Sequence, residues 1–410
     1  MFQHIEPYAG DPILTLNEAF GKDPRPHKIN LSIGIYFDDA GKLPVMRAVR
    51  EAETAMLQYI GPRSYQPMEG AANYRSAVQQ LLFGAQHEAV LSGRIATVQT
   101  IGGSGGLKVG SDFLKRFFPS ANVWVSDPTW DNHRAMFEGA GFKVNTYPYY
   151  DAATGALNFS GMLQAFKGDG DANHTNAIPE GSIVLMHACC HNPTGVDLSA
   201  AHWAELIPVI KARRLIPYLD IAYQGFGDGL EEDTFALRAL TDAGISFFCA
   251  SSFSKSFSLY GERCGALSVV CPDRAQAELV LGQMRATVRK NYSSPPTHGG
   301  QIVARVLQTP ALFAQWSDEL NGMRERIKAM RQRLHAVLQA KLQTQLPGKD
   351  INYFLTQRGM FSYTGLSAAQ VDALREEHAV YLVRSGRMCV AGLNSGNVEA
   401  TAVAMAAVMA

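Results

Sequence analysis

Residues 245–265 read ISFFCASSFSKSFSLYGERCG, an apolar run that ends in serines and a single lysine, Lys255. The run is short, rich in Phe and apolar on both faces, which is typical of a strand covered by helices on both sides. Surface lysines usually stand among other charges on helices, whereas Lys255 follows a predicted buried strand. The stretch therefore predicts a strand whose carboxyl end carries a cation, with Arg263 close behind it.

Similar runs recur between about residues 95 and 275 and alternate there with helix-like segments. They are IATVQTI (95–101), NVWVSDP (122–128), SIVLMHACC (182–190), LIPYLDI (215–221) and CGALSVV (264–270). This alternation predicts an α/β fold with a largely parallel, doubly wound sheet. After Pro310 the pattern changes to long amphipathic helices and then to a mixed portion, which indicates a second, smaller domain.

The composition excludes several classes of partner. Lys plus Arg and Asp plus Glu are equal at 37 each, so no net charge attracts the chain to nucleic acid or to an anionic membrane. No apolar run approaches the roughly 20 residues of a spanning helix, and MFQHIEPYAGD (1–11) does not resemble a secretion signal. The six cysteines lie mostly in apolar runs, as free thiols do in a reducing compartment. We expect a cytoplasmic protein that acts on small molecules.

A basic segment after Pro310 has two interpretations. Its cationic residues are Arg324, Arg326, Lys328, Arg331 and Arg333. Ile327, Leu334 and Leu338 fall at helical spacing between them, which predicts a core-facing stripe. We therefore interpret the cations as a solvated outer face and not as a nucleic-acid or membrane patch.

Polar residues follow the ends of the predicted strands. In open parallel sheets, ligands bind beyond these carboxyl ends. The residues found there are Gly102–Gly106, Trp130, His133, Asn192, Asp220, Tyr223 and Lys255. We expect them to converge on one crevice.

The glycine-rich turn Gly102–Gly106 opens a predicted helix, so its N–H groups, with the Ser104 hydroxyl, can bind a phosphate. It fits neither the dinucleotide-binding nor the P-loop pattern. It does match G-x-S-x-G, and Ser104, Asp220 and His298 stand in the chain order of an α/β serine hydrolase. That enzyme class remains an alternative, although it leaves Asn192 and Arg263 without a role.

Two weaker interpretations complete the alternatives. Ser252 and Lys255 form an S-x-x-K motif, but the S-D-N and K-T-G motifs of penicillin-binding enzymes are absent from the sequence. HACCH (187–191) looks like a metal cluster, but adjacent cysteines on a strand point to opposite faces. We predict no metal site, and a carrier or scaffold role would not explain so many polar groups at strand ends.

Lys255, Asp220 and the glycine turn together suit one cofactor. A lysine near other cations can lose its proton and form an imine. Pyridoxal phosphate supplies the aldehyde for that imine and a phosphate for the turn, while its ring nitrogen needs a buried carboxylate such as Asp220. Arg263 can bind the phosphate in a bidentate manner.

The sequence also resembles a known family through HNPTG, LDIAYQGF, SSFSKSFSLYGERCG, NYSSPP and SGRMCVAG. These motifs are similar to those of the class I, fold type I aminotransferases, in the aspartate/aromatic branch, and the resemblance covers essentially the whole chain. SYQPMEG, IGGSGGLKVGSDFLKRFFP and RGMFSYTGLSAAQVDALREE are most similar to the bacterial aromatic-amino-acid (tyrosine) aminotransferases. Aspartate aminotransferases proper are the alternative within the branch.

The resemblance implies a fold and an assembly. The fold has a large domain (47–312) with a mostly parallel seven-stranded sheet covered by helices. A smaller α/β domain consists of residues 15–46 and 313–410, and residues 1–14 form an N-terminal arm. The assembly is a homodimer with shared active sites.

The resemblance further implies roles around the cofactor. Lys255 forms the Schiff base and shuttles protons, and Asp220 contacts the pyridine nitrogen with His133 behind it. The remaining cofactor contacts are Tyr223 and Asn192 on the phenolic oxygen, Trp130 on the ring, and Gly103, Ser104, Ser252 and Arg263 on the phosphate. Tyr65 reaches the phosphate from the second subunit.

The implied substrates are aromatic (Tyr, Phe, Trp) or dicarboxylic (Asp, Glu) L-amino acids and 2-oxo acids such as 2-oxoglutarate, in a ping-pong transamination. Arg387 binds the α-carboxylate, and Arg289 of the neighbouring subunit binds a side-chain carboxylate. Trp130 and Asn192 also border the substrate, and we expect Gly34, with Ile33, to close over it. Arg384 departs from the small residue expected near Arg387, which predicts an altered rim of the site.

Overall fold

The computed structural model describes residues 1–8, 10–58, 61–168 and 177–410. Two compact units can be distinguished. The larger unit comprises residues 44–325, and the smaller unit comprises residues 1–43 together with residues 326–410.

The strands are short and fall mainly in the larger unit. They are β1 (Ile29–Asn30), β2 (Ile95–Ile101), β3 (Val123–Asp127), β4 (Val144–Pro148), β5 (Tyr150–Asp151), β6 (Ala156–Leu157), β7 (Ile183–His187), β8 (Ile216–Ile221), β9 (Phe247–Ser252), β10 (Cys264–Val270), β11 (Phe361–Tyr363), β12 (Val380–Tyr381) and β13 (Arg387–Cys389).

The helices flank these strands along the chain. They are α1 (Pro12–Lys22), α2 (Arg47–Met56), α3 (Ala72–Phe83), α4 (Glu88–Leu91), α5 (Gly102–Phe117), α6 (Asp131–Gly139), α7 (Phe159–Lys167), α8 (Ala200–Ala212), α9 (Phe235–Asp242), α10 (Arg274–Asn291), α11 (His298–Gln308), α12 (Pro310–Gln345), α13 (Tyr353–Thr356), α14 (Ala368–His378) and α15 (Val398–Met409).

The larger unit is built on a seven-stranded sheet with the order β2-β10-β9-β8-β7-β3-β4. Neighbours from β9 to β4 are parallel, whereas β10 runs antiparallel to both β9 and β2. Strands β7, β8 and β9 are buried along almost their whole length, because helices cover both faces of the sheet. The predicted α/β class with a mostly parallel seven-stranded sheet is confirmed.

Helix α5 lies unusually close to this sheet because glycines face it. A Cβ at Gly110 would stand 2.1 Å from the Tyr218 hydroxyl, and one at Gly106 would stand 3.0 Å from the Ala266 carbonyl oxygen. The Tyr218 hydroxyl uses this closeness to donate to the Gly106 carbonyl at 2.8 Å. The start of α5 is thereby held against the carboxyl ends of the central strands.

The smaller unit contains most of the residues that follow Pro310. Its β1 pairs in parallel with β12, and its β11 pairs antiparallel with β13. The long helix α12 begins in the larger unit, and the boundary between Glu325 and Arg326 falls inside it.

The interpretation of the basic helix as a solvated face is wrong for Arg331. This side chain is buried, with 3% of its surface exposed. Arg331 lies four residues after Ile327 and three before Leu334, so it shares their core-facing stripe. Its position in the sequence fits the buried stripe, whereas its charge alone predicts exposure to solvent.

The cysteines and the hydropathy agree with expectation. The six cysteines are all free and buried. Among the described residues, no helix combines the length and the apolar character that crossing a membrane requires.

Candidate active site

The start of α5 forms an anion cradle with the turn after β9. Gly102 has a left-handed backbone (φ +65°), and its N–H donates to the Arg263 carbonyl at 2.9 Å. A Cβ at Gly102 would stand 2.6 Å from a guanidinium nitrogen of Arg263, and one at Gly103 would stand 3.1 Å from Cβ of Ser252. Side chains other than hydrogen would fill this space. The free N–H groups in the first turn of α5, with Ser104 among them, therefore lie beside a guanidinium and a hydroxyl.

Arg263 is held in place by the same turn. Its backbone is left-handed (φ +49°), and its Nη1 donates to Oγ of Ser254 at 3.1 Å and to the carbonyl of Tyr260 at 3.2 Å. The Ser252 hydroxyl accepts the Ser254 N–H at 3.3 Å. Guanidinium and hydroxyl are thus oriented before any ligand arrives, which suits a phosphate.

Asp220 lies at the end of β8 and is buried, with 4% of its surface exposed. Its Oδ2 is 3.0 Å from Nε2 of His133, whose Nδ1 is 2.8 Å from the hydroxyl of Thr129. Burial alone would raise the pKa of Asp220, but the His133 hydrogen bond and the nearby positive charge of Lys255 outweigh burial and lower that pKa. Asp220 is therefore a buried carboxylate that stays ionised.

The register of the parallel strands brings the other predicted residues to the same edge. His187 of β7 pairs with Asp220 of β8, and Ile221 pairs with Ser251 of β9. Residues that follow these strand ends are consequently neighbours. They are Asn192, Tyr223 and Lys255, and Nζ of Lys255 stands 4.9 Å from the centroid of the Tyr223 ring.

Trp130 joins this group from the loop before α6. Its ring meets the His133 ring edge-on, with centroids 5.3 Å apart. The structure thus assembles Trp130, His133, Asp220, Tyr223 and Lys255 around one end of the sheet, as the sequence predicted.

The sequence did not predict that His187, His191 and Thr129 take part in the surroundings of Asp220 and His133. Burial, helped by the His133 charge, lowers the pKa of His187 to about 3, so this imidazole is neutral. The His187 ring centroid lies 5.0 Å from that of His133 and 4.4 Å from that of His191. Thr129 orients His133 from the other side, and its place four residues before His133 at the start of α6 was the available signal.

The two cysteines of HACCH (187–191) do not lie on a strand, contrary to the prediction from the sequence. Strand β7 ends at His187, so Cys189 and Cys190 follow it, and Cys190 has a left-handed backbone (φ +52°). Their sulfurs and a carboxylate oxygen of Asp233 lie within 4.8 Å of one another. The Asp233 carboxylate is already used, because it accepts N–H groups of the loop that begins at Gly225.

The serine hydrolase triad is not assembled. Asp220 is hydrogen-bonded to His133. His298 lies instead at the start of α11, and its Nε2 is 3.4 Å from a carboxylate oxygen of Glu53 in α2. Ser104 belongs to the anion cradle instead.

Tyr65 and Arg289 do not belong to the buried cluster. The side chain of Tyr65 is 94% exposed. Arg289 is also exposed, near the end of α10, and its guanidinium donates to the hydroxyl of Ser293 on the following turn.

Arg387 and Gly34 lie in the smaller unit, where both contact Phe361. Arg387 is 4% exposed, donates to the Ser32 carbonyl at 2.7 Å and stands 4.5 Å above the Phe361 ring. A Cβ at Gly34 would stand 2.9 Å from the same ring. Arg384, by contrast, points its exposed guanidinium to Asp372 at 3.1 Å.

The whole chain is similar to proteins of one known family. Residues 26–405 match the family model for class I and II aminotransferases. The chain is 57% identical to the aromatic-amino-acid aminotransferase of Escherichia coli K12 over the full length of both. A solved aromatic-amino-acid aminotransferase from Burkholderia pseudomallei, covalently bound to pyridoxal phosphate, is 51% identical with a TM-score of 0.95 over both full chains. One from Psychrobacter sp. B6, cocrystallised with aspartic acid, is 48% identical, also with a TM-score of 0.95 and full coverage of both.

Proposed function

The chain belongs to the class I and II aminotransferases, and from this premise we propose that it transfers amino groups between L-amino acids and 2-oxo acids with pyridoxal phosphate. The aromatic amino acids Tyr, Phe and Trp and the dicarboxylic Asp and Glu are its proposed substrates. The observation that carries this proposal is the buried Asp220 near Lys255, with an anion cradle at the end of the same sheet.

Pyridoxal phosphate fits the donor groups of this site. The cradle of Gly103, Ser104, Ser252 and Arg263 offers N–H, hydroxyl and guanidinium donors to a phosphate dianion. When bound, the cofactor supplies an aldehyde for an imine and a ring that withdraws electrons from the substrate α-carbon.

The remaining residues divide the chemistry between them. Lys255 provides the amine that holds the cofactor covalently, and afterwards carries the α-proton of the amino acid as base and acid. The ionised Asp220 keeps a proton on the pyridine nitrogen. Tyr223 and Asn192 would hold the phenolic oxygen of the cofactor, and Trp130 would pack against its ring.

Two arginines are proposed for the substrate carboxylates. Arg387 binds the α-carboxylate that every amino acid carries, and Gly34 leaves room for the ligand. Arg289, like Tyr65, acts from the second subunit of a homodimer. The exposure of both side chains on a single chain supports this proposal, because a polar group presented to a partner must be accessible before assembly.

The substrate range rests on the relatives. The E. coli relative is named for aromatic amino acids, and the Psychrobacter relative of the same name was crystallised with aspartic acid. One pocket that admits both types explains these observations. A dedicated aspartate aminotransferase is the second candidate within the family.

The purified protein tests the proposal. We expect it to absorb visible light as an imine, and borohydride should fix the cofactor to Lys255, as a peptide mass would show. Lys255→Ala should retain the cofactor without a covalent bond and lose roughly 10⁴-fold in kcat, because the proton carrier is gone. A colourless protein that a fluorophosphonate labels at Ser104 would instead establish the hydrolase.

A further inference from the structure

Arg331 of α12 is a buried cation whose donors are directed at one short segment. Its Nη2 donates to the carbonyls of Gly359 at 2.8 Å and Phe361 at 2.6 Å, and its Nη1 donates to the carbonyl of Phe354 at 3.4 Å and to the Ser362 hydroxyl. A guanidinium is buried at a large desolvation cost, which only a full set of hydrogen bonds offsets. Such a group constrains the segment that it binds.

The segment bound by Arg331, residues 354–363, has little regular structure of its own to stabilise it. It contains β11, a strand of three residues that pairs with β13 through Phe361 and Cys389, and through Tyr363 and Arg387. A short two-stranded pairing is marginal by itself. The Arg331 guanidinium therefore supplies a second set of contacts to the strand.

Phe361, the first residue of β11, contacts the guanidinium of Arg387 with its side chain. The Phe361 ring lies 4.5 Å below the Arg387 guanidinium, at a distance typical of a cation–π contact. The same ring fills the space beside Gly34. A displacement of Phe361 would consequently reach Arg387 and Gly34 together.

We propose that Arg331 is a positioning residue for α-carboxylate binding, which acts by fixing Phe361 beneath Arg387. This inference rests on the function proposed for Arg387. It assigns to the long helix a role in substrate affinity, whereas the sequence indicated a solvated surface there.

An arginine suits this role and a lysine does not. The planar guanidinium directs N–H groups to several acceptors at once, while an ammonium presents its three donors from one nitrogen. Arg331→Lys keeps the positive charge and removes the planar set of N–H donors, so it is the informative substitution.

For Arg331→Lys we expect KM for aspartate and for phenylalanine to rise together by about tenfold, with kcat within about threefold. Absorbance of the bound cofactor should not change, because its proposed contacts are elsewhere. Arg326→Lys is the matched control, since Arg326 also lies on α12 and donates to two carbonyls, those of Phe37 and Leu393. We expect this control to lose thermal stability and to keep both KM values.

Phe361→Leu tests the route from Arg331 to Arg387. If Arg331 acts through the ring, the double variant with Arg331→Lys should raise KM no further than Phe361→Leu alone. Independent, multiplying effects would overturn the inference.

Two further variants keep the test decisive. Arg387→Ala should raise KM for both substrates, and an unchanged KM there would refute the proposed function of Arg387. A raised KM in Arg387→Ala with unchanged KM in Arg331→Lys would refute the inference alone. Should Arg331→Lys not fold, Ser362→Ala removes one acceptor only, and we expect KM to rise about threefold; no rise would overturn the inference.

Discussion

Arg387 and Arg289 are both proposed to bind carboxylates, yet the structure treats them differently. Arg387 is buried, bonded to the Ser32 carbonyl and stacked on Phe361. Arg289 is exposed, and its guanidinium donates to the hydroxyl of Ser293, four residues further along the chain. The first side chain is fixed by distant parts of its unit, and the second is held by its own turn.

The difference follows the chemistry of the substrates. All amino acids carry an α-carboxylate, so its binding group can be rigid. A side-chain carboxylate is present in aspartate and absent in phenylalanine, and a buried, unpaired arginine beside a phenyl ring would be costly. A locally held arginine can turn toward water when an aromatic substrate binds. In the proposed function, the constant carboxylate is therefore bound by a fixed residue and the variable one by an exposed residue.

Asp220→Asn should give the largest effect and should not distinguish substrates, since Asp220 belongs to the fixed set. We expect α-deuterium exchange in a half-reaction to slow by roughly 10³-fold for aspartate and phenylalanine alike, because the pyridine nitrogen loses its ionised partner. Thermal unfolding would control for folding. Exchange at the normal rate, or loss for one substrate alone, would contradict the assignment.

Arg289→Leu should separate the two substrates. We expect kcat/KM for aspartate to fall by about 10²-fold or more, since a charge-assisted pair is lost, and the value for phenylalanine to stay within about tenfold. Lys290→Leu, which removes an exposed cation from the adjacent position of α10, is the matched control and should affect neither. Equal losses for both substrates would show that Arg289 is structural.

Tyr65→Phe should give the smallest effect. It tests whether the exposed residue Tyr65 acts in the site of the second subunit. Removal of one hydroxyl should weaken binding of pyridoxal phosphate by about tenfold and leave kcat almost unchanged. Dilution below the dimer dissociation constant should weaken cofactor binding in the parent protein and remove the difference from the variant. A difference that persists in monomers would place Tyr65 in its own subunit's site.

The sheet and its polar edge were predictable because the signals are local. Strand ends carrying Asn192, Asp220 and Lys255 follow recognisable apolar runs, and parallel strands bring such ends together. The sequence does not predict strand β4, since it reads VNTYP and lies at the edge of the sheet with partly exposed residues. Strand β4 lacks the continuous buried pattern that β2 keeps at the opposite edge of the sheet.

The predictions for Cys190 and Arg331 are wrong because each residue departs from the usual behaviour of its type. Cys190 was assigned to a strand, but its left-handed backbone turns the chain after His187. The charge pattern of residues 324–333 predicts a solvated Arg331, although this residue shares the helical spacing of Ile327 and Leu334. The backbone conformation decides the place of Cys190, and acceptors far along the chain decide the burial of Arg331. Neither can be read from a single sequence.

The unbroken course of α12 through residues 325 and 326 fixes the angular positions of its side chains along the whole helix. Each residue of a helix turns the chain by about 100°, so one residue inserted between Ile327 and Arg331 would place these two side chains on different faces of the helix. Deletions act in the same way with the opposite sense. Loops absorb such changes readily, whereas an insertion within this helix would separate Arg331 from the core-facing stripe that it now shares with Ile327 and Leu334.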